Sequence, residues 1–266
     1  RDVLGSRGLG DVYKRQVIHY CWFGRNTLPP LAVKCIESWK KYFPDYEIKE
    51  WNEENFNVNI IPYTKEAYEM KKYAFVSDYA RFWILYHYGG LYFDTDVEVI
   101  RPMDDIIDKG PFMGCEKNID NNGETILAVA PGLGLGANPG LGLYSELLQL
   151  YSTLHFIEGN GVLNLKTVVE YTTELLCYCG LKNCATAQKI AGILIYPREY
   201  FNPKDYATGK IVITKNTRSI HHFAASWLPE YQRRNLRIYN LLGINQDSKW
   251  IALLRRIKKI ILSCLK

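Results

Sequence analysis

Asp94, Thr95 and Asp96 set two carboxylates two residues apart, directly after the short apolar run Leu91-Tyr92-Phe93. In an extended segment alternate side chains share a face, so Tyr92, Asp94 and Asp96 are expected to point one way and Leu91, Phe93 and Thr95 the other. Carboxylates so placed repel each other unless a cation lies near them. A hard divalent ion, Mg2+ or Mn2+, takes oxygen ligands and shares its shell readily with a diphosphate. The chemistry this pair suits is charge neutralisation on a departing diphosphate. A solvated acidic turn competes with that reading on spacing alone.

Asp78 and Arg81 are the second signal. They lie three apart in Ala74–Tyr88, a stretch apolar almost all round, and therefore share a helix face. Charged side chains on a helix of that kind need partners. Two readings stand side by side: an internal ion pair that fastens the helix, or hydrogen bonds to a ribose or sugar hydroxyl.

The elements that must position these residues alternate between strand and helix. Val17–Phe23 reads as a buried first strand ended by Gly24, residues 30–42 as a helix with Leu31, Cys35, Ile36 and Trp39 on one face, and Tyr46–Trp51 as a second strand. These lengths suggest a βαβ unit and hence parallel pairing. Residues 65–88 have helical character throughout, and Gly89-Gly90 stops them with a sharp reversal. Pro131–Gly142 is expected to be a Gly- and Pro-rich loop without fixed structure. Helices are expected near 143–154 and 165–179, and strands at Ile193–Tyr196, Lys210–Ile213 and Ser219–Phe223. The carboxylates then stand at the carboxyl end of a strand, where open α/β sheets place ligands.

Ala74-Phe75-Val76-Ser77-Asp78-Tyr79-Ala80-Arg81, followed by Gly89-Gly90-Leu91-Tyr92-Phe93-Asp94-Thr95-Asp96, resembles the signature of glycosyltransferase family 32, the DXD sugar-binding group. That group includes bacterial capsular-polysaccharide transferases and yeast initiating mannosyltransferases, and the arrangement is similar to that of the large clostridial glucosylating toxins. Ile18–Gly24 and Ile220-His221-His222 through Ser226-Trp227 also resemble segments of these enzymes, so the likeness spans residues 17–228. It implies an α/β fold of GT-A type, a Rossmann-like mixed sheet flanked by helices. It further implies a divalent metal (Mn2+ or Mg2+) and transfer of a hexose from a UDP- or GDP-hexose donor with retention of configuration.

Carried over residue by residue, the resemblance implies that Trp22 stacks on the donor base. Asp78 and Arg81 hold sugar and phosphate groups, and Tyr92 lines the nucleotide pocket. Asp94 touches ribose and sugar and joins Asp96 in holding the metal, and the two aspartates with Asp78 and Arg81 form the implied catalytic set. A histidine completes the metal shell; neighbours on a strand face opposite ways, and the family pattern favours His221 over His222. Ser226 and Trp227 close over the diphosphate. His19 reads as structural, Glu116 as an acceptor-side group, and no residue stands out as a nucleophile. Transfer of this kind needs mainly positioning and charge stabilisation.

Bulk properties narrow the partners. The 266 residues are 47% hydrophobic and 14% aromatic, with seven cysteines and no paired CxxC motifs. Free thiols and a cytoplasmic setting are the expectation. Residues 233–266 carry nine Lys/Arg against one acid, +8, which leaves −3 on the rest. That asymmetry argues against a nucleic-acid surface.

Trp250–Leu262 mixes apolar and cationic residues at helical spacing. One reading is an amphipathic helix lying on the inner face of the cytoplasmic membrane, beside a glycan or lipid-linked glycan acceptor. The other is a helix packed on the domain with a solvated basic edge. The expected organisation is a non-native or unstructured leader at 1–16, a transferase domain at 17–230 and a basic tail at 231–266. A haloacid dehalogenase-like phosphohydrolase and a non-catalytic carbohydrate-binding domain are the rivals. The former wants its D-x-D on the first strand, and the latter leaves the acidic motif unused.

Overall fold

The computed structural model describes residues 16–117, 127–183, 186–205 and 208–224. The chain divides into two compact units, residues 1–203 with 213–222, and residues 204–212 with 223–266. All of the expected leader but Gln16, the basic tail, Ser226 and Trp227 lie outside the described residues. In the second unit Lys204 and Ile211 form an isolated antiparallel bridge. That bridge replaces the strand expected over Lys210–Ile213, where Val212 and Ile213 stay exposed and unpaired in a sheet.

The first unit is built on a mixed eight-stranded sheet flanked by helices, the architecture the sequence implies. In chain order its elements begin β1 (Val17–Cys21), α1 (Pro30–Tyr42), β2 (Glu47–Trp51), α2 (Pro62–Glu69), α3 (Tyr73–Tyr88), β3 (Gly90–Tyr92), β4 (Val97–Val99) and α4 (Asp104–Ile107). They continue with β5 (Phe112–Lys117), β6 (Ala128–Ala130), β7 (Leu135–Ala137), α5 (Gly142–Ser152), α6 (Val168–Tyr178), β8 (Gln188–Ile190), β9 (Ile193–Tyr196) and β10 (Ser219–His221). The sheet runs β2-β1-β3-β7-β5-β9-β8, with β6 paired to β5. β1 pairs in parallel with both β2 and β3, as the βαβ pattern requires, whereas β7 enters antiparallel to β3 and β5. β4 and β10 form a separate antiparallel ribbon.

Alternation along the strands splits the core in two. Ile18, Tyr20, Leu91 and Phe112 face α1 and its Trp39. Cys21, Tyr92, Met113 and Cys115 face the other side, against Phe82 and Leu85 of α3, Tyr144 and Tyr151 of α5, and Leu176 of α6. α1 starts with Pro30 in its first turn and ends with Lys40 and Lys41, a favourable order for the helix dipole. It also grips the ribbon. Trp39 Nε1 donates to the Val97 carbonyl at 2.8 Å, and Ser38 Oγ accepts from the Val99 N–H at 2.9 Å.

Three expectations need correction. The helical stretch 65–88 is two helices, because Lys71 adopts the left-handed region at φ 57. Its N–H donates to Tyr68 O, and that of Lys72 donates to Ala67 O, a helix-ending pair of bonds made without glycine. Residues 131–142 are not a loose loop either: they contain β7, in the middle of the sheet. A Cβ at Gly136 would lie 2.3 Å from the Phe112 ring, so glycine there serves close packing. Finally, Asp94–Asp96 is not a continuation of β3, since Val97 N–H donates back to Asp94 O at 3.0 Å and makes a turn.

Gly89 and Gly90 behave as the sequence suggests. Both have positive φ, and a Cβ on Gly90 would come within 2.6 Å of the Val17 carbonyl. His19, buried as expected of a structural residue, reaches the Gly89 carbonyl with Nε2 at 3.1 Å and accepts from Trp51 Nε1 with Nδ1 at 3.0 Å. Burial lowers its pKa to about 4 and keeps it neutral.

Candidate functional site

β1 and β3 run side by side in the same direction, with Ile18 level with Leu91 and His19 with Tyr92. Trp22, after β1, and Asp94, after β3, therefore emerge at the same edge of the sheet. The Trp22 ring is half-buried, and its Nε1 donates to the Asn26 carbonyl at 2.6 Å, which fixes the ring across the loop that follows β1.

The buried guanidinium of Arg81 is the centre of the site. One of its nitrogens, Nη2, lies 2.9 Å from Asp78 Oδ1 and 3.3 Å from Asp94 Oδ1. Nε donates to the Ser77 carbonyl at 3.1 Å, and the group lies over the Tyr92 ring, 5.2 Å from its centroid. The Tyr92 hydroxyl donates to Asp94 Oδ1 at 3.0 Å. The helix thus brings Asp78 and Arg81 to one face, and the reversal at Gly89-Gly90 returns the chain so that Asp94 meets them.

The electrostatics follow from one cation facing two carboxylates in a water-poor place. Burial pushes the Asp78 carboxyl up to about 7; Arg81 opposes the rise and Asp94 adds to it. Burial works against the charge on Arg81, but Asp94, Tyr92 and Asp78 outweigh it and hold the guanidinium above its ordinary value. The backbone N–H of Val168, at the start of α6, works against the rise at Asp78. α6 begins there because Thr167 and Glu170 form a reciprocal capping box.

The second aspartate turns elsewhere. Asp96 Oδ2 lies 3.3 Å from His221 Nε2, both side chains being largely buried. Its carbonyl accepts from the His222 N–H at 2.9 Å. The His222 ring takes a different partner, Glu98 Oε2 at 2.7 Å, which Lys34 also reaches at 2.8 Å. Strand alternation thus separates the neighbouring histidines, sending His221 to Asp96 and His222 to Glu98. Burial opposes a charge on His221, yet Asp96 first, then Glu116 and Asp94, holds its pKa above the ordinary imidazole value.

Asp96 and His221 are a pair that could hold a divalent cation, through a carboxylate oxygen and an imidazole nitrogen. No group of three His, Cys, Asp or Glu side chains converges as a metal cage among the described residues. The donor set fits an ion that keeps the rest of its shell for phosphate oxygens and water. Asp94, by contrast, gives one carboxylate oxygen to Tyr92 and Arg81.

Gly132 belongs to the site and was missed by motif reading. Its carbonyl accepts from the Asp94 N–H at 3.0 Å, and a Cβ at this position would stand 1.9 Å from Asp94 Oδ2. The spacing of Gly132, Gly134 and Gly136 was the available signal, since glycine at every second residue leaves one face of an extended chain without side chains.

The comparisons with known proteins cover part of this region. Residues 29–113 match the family model described as a glycosyltransferase sugar-binding region containing the DXD motif. Inositol phosphoceramide mannosyltransferase 1 of Schizosaccharomyces pombe is 29% identical over 109 residues, which are 37% of this chain and 33% of that protein. Inositol phosphoceramide mannosyltransferase 3 of the same yeast is 32% identical over 107 residues, 36% of this chain and 30% of that protein. The chain thus spans about a third of the length of these curated relatives. Among solved structures, the PaToxG Glycosyltransferase aligns with a TM-score of 0.44 and 18% identity, over 61% of this chain and 69% of that one. A likeness of that size carries no further weight.

Proposed function

We propose that the glycosyltransferase DXD sugar-binding region found at residues 29–113 works here in a metal-dependent retaining transferase, moving a hexose from a nucleotide-sugar donor to a glycan acceptor. One observation supports this above the rest. The two aspartates of the motif, two residues apart, engage opposite partners: Asp94 joins Arg81, and Asp96 joins His221. A donor has the same two ends, a hydroxyl-rich sugar and an anionic diphosphate.

In this reading Asp78 and Asp94, held by Arg81, accept hydrogen bonds from sugar and ribose hydroxyls. Trp22 stacks on the base and Tyr92 lines the nucleotide pocket. Asp96 and His221 would hold Mn2+ or Mg2+, which when bound supplies charge neutralisation for the leaving nucleoside diphosphate. The protein's own share is to orient the donor and exclude water around Arg81, which sits in a setting where charge interactions are strong. Ser226 and Trp227, outside the described residues, are proposed to close over the diphosphate. The placement of D-x-D after the third strand, not the first, weighs against the phosphohydrolase reading.

The names of the yeast relatives make a mannosyl donor the first to try. Donor hydrolysis with GDP-mannose, UDP-glucose and UDP-galactose, with and without Mn2+, tests the proposal. Metal-stimulated release of sugar from one donor supports it. Release of phosphate from simple esters with no binding of any donor would overturn it.

A role in bacterial capsule, O-antigen or exopolysaccharide assembly, in the cytoplasm at the inner membrane face, completes the proposal. The assembly role rests on the family resemblance and the membrane contact on the basic tail; no helix among the described residues is long and apolar enough to cross a membrane. Removing residues 246–266 is expected to shift the protein from membrane to soluble fractions. Unchanged fractionation would defeat this part alone.

A further inference from the structure

Behind Asp78 lies a cluster of buried hydroxyls that the proposed chemistry does not use. Tyr63 on α2 and Tyr151 on α5 are both fully buried, and their rings meet edge to face with centroids 5.1 Å apart. Neither hydroxyl has a hydrogen-bond partner among the described residues. The Tyr151 ring also packs on that of Tyr79, next to Asp78 on α3, with centroids 6.1 Å apart, and the Asp78 charge helps to raise the pKa of both phenols.

The wall beside them is polar too. Thr172 on α6, one turn beyond Val168 on the same helix face, carries another buried hydroxyl without a partner among the described residues. Tyr144 is an internal contrast. Its hydroxyl is equally buried and unpartnered, but it packs on Phe82 and burial alone acts on it.

A buried hydroxyl without a partner bears its whole desolvation cost, and native interiors meet that cost with ordered water wherever several polar groups face one space. Asp78 can accept from such water. A carboxylate offers about four lone-pair sites, and the Arg81 ion pair leaves acceptor capacity over. We infer that Tyr63 and Tyr151 hold ordered internal water against the Asp78 carboxylate, making them positioning residues for the sugar-facing half of the site. Water held from behind fixes the carboxylate plane, so its remaining acceptor sites face the donor. The kinetic part of this inference rests on the glycosyltransferase reading; the hydration part does not.

The test compares Y63F, Y151F and the double variant with Y144F. If the water is there, each of the first two lowers Tm by about 2–4 °C, because each strands a water that bonded to the lost hydroxyl. The double variant lowers kcat for donor turnover about tenfold while the donor KM changes less than about twofold. Y144F leaves kcat unchanged, and its Tm stays level or rises. A crystal structure then shows ordered water between the two phenols and Asp78 in the wild type. The inference is overturned if Y63F and Y151F raise Tm as a dry orphan would, or if kcat in the double variant matches the wild type. Should the wild type turn over no nucleotide sugar, the functional reading fails, and Tm with the crystallographic water still decides the hydration.

Discussion

Asp94 occupies the space that any side chain at position 132 would need. Its Oδ2 lies 1.9 Å from where a Cβ on Gly132 would be, and its N–H is bonded to the Gly132 carbonyl. The same Cβ would stand 3.4 Å from Arg81 Nη1. Gly132→Ala is therefore expected to push the Asp94 carboxylate off Arg81 and Tyr92 with little effect on the rest of the fold. A displacement of about 1 Å can cost about 100-fold in rate. Steady-state donor hydrolysis beside a circular dichroism melt checks it, and a large drop in Tm with activity retained per folded molecule would be the wrong outcome.

Arg81→Lys is expected to be far from conservative. The guanidinium meets Asp78, Asp94, the Ser77 carbonyl and the Tyr92 face at once, whereas an ammonium is a point charge without the fork. Turnover should fall about 100-fold, or ~2.7 kcal/mol. Stability should fall by about 1–3 kcal/mol as a buried acceptor loses its donor. Urea unfolding and kinetics on the same preparation measure both.

The His221–Asp96 pair gives a pH signature. The folded imidazole pKa is raised, so its stabilising share is complete below the ordinary imidazole value of about 6.5 and disappears as pH rises through the folded value. A bound metal ion reverses the trend, since it competes with the proton on Nε2 and binds better as that proton leaves. Thermal melts from acid to mildly alkaline pH should show Mn2+ stabilising more at the higher end. His221→Gln should flatten both curves; a variant as metal-responsive as the wild type would remove His221 from the shell.

Gly90→Ala is a test of the reversal. At φ 94, with the Val17 carbonyl 2.6 Å from the new Cβ, alanine suffers both backbone strain and a clash with β1. Strain alone is worth about 1–3 kcal/mol. Chemical denaturation is expected to show at least that loss, together with reduced activity, since Gly90 opens the strand that leads to Asp94.

Much of this site was legible because its signals are local. The all-apolar character of α3, the Gly89-Gly90 stop and the alternation that separates His221 from His222 are each written within a few residues. The misreadings share a physical cause. Lys71 ends α2 in a left-handed conformation that side-chain type does not announce. Gly134 and Gly136 look like loop residues until Phe93 and Phe112 are known to press against them. The turn at Asp94–Val97 leads into β4, whose pairing with the distant β10 no local pattern announces.

That ribbon has a temporal consequence. The strand that carries Asp96 into place pairs with residues made long afterwards, and 124 positions separate Glu98 from its partner His222. Contacts of such long range form late, because a large loop must close before they are rewarded. During synthesis the sugar-facing half, complete once α6 has left the ribosome, is assembled before the phosphate-facing half. A chain interrupted between the two would expose Asp96 with no histidine beside it, so the nascent protein should acquire its affinity for donor and for cation at two separate lengths.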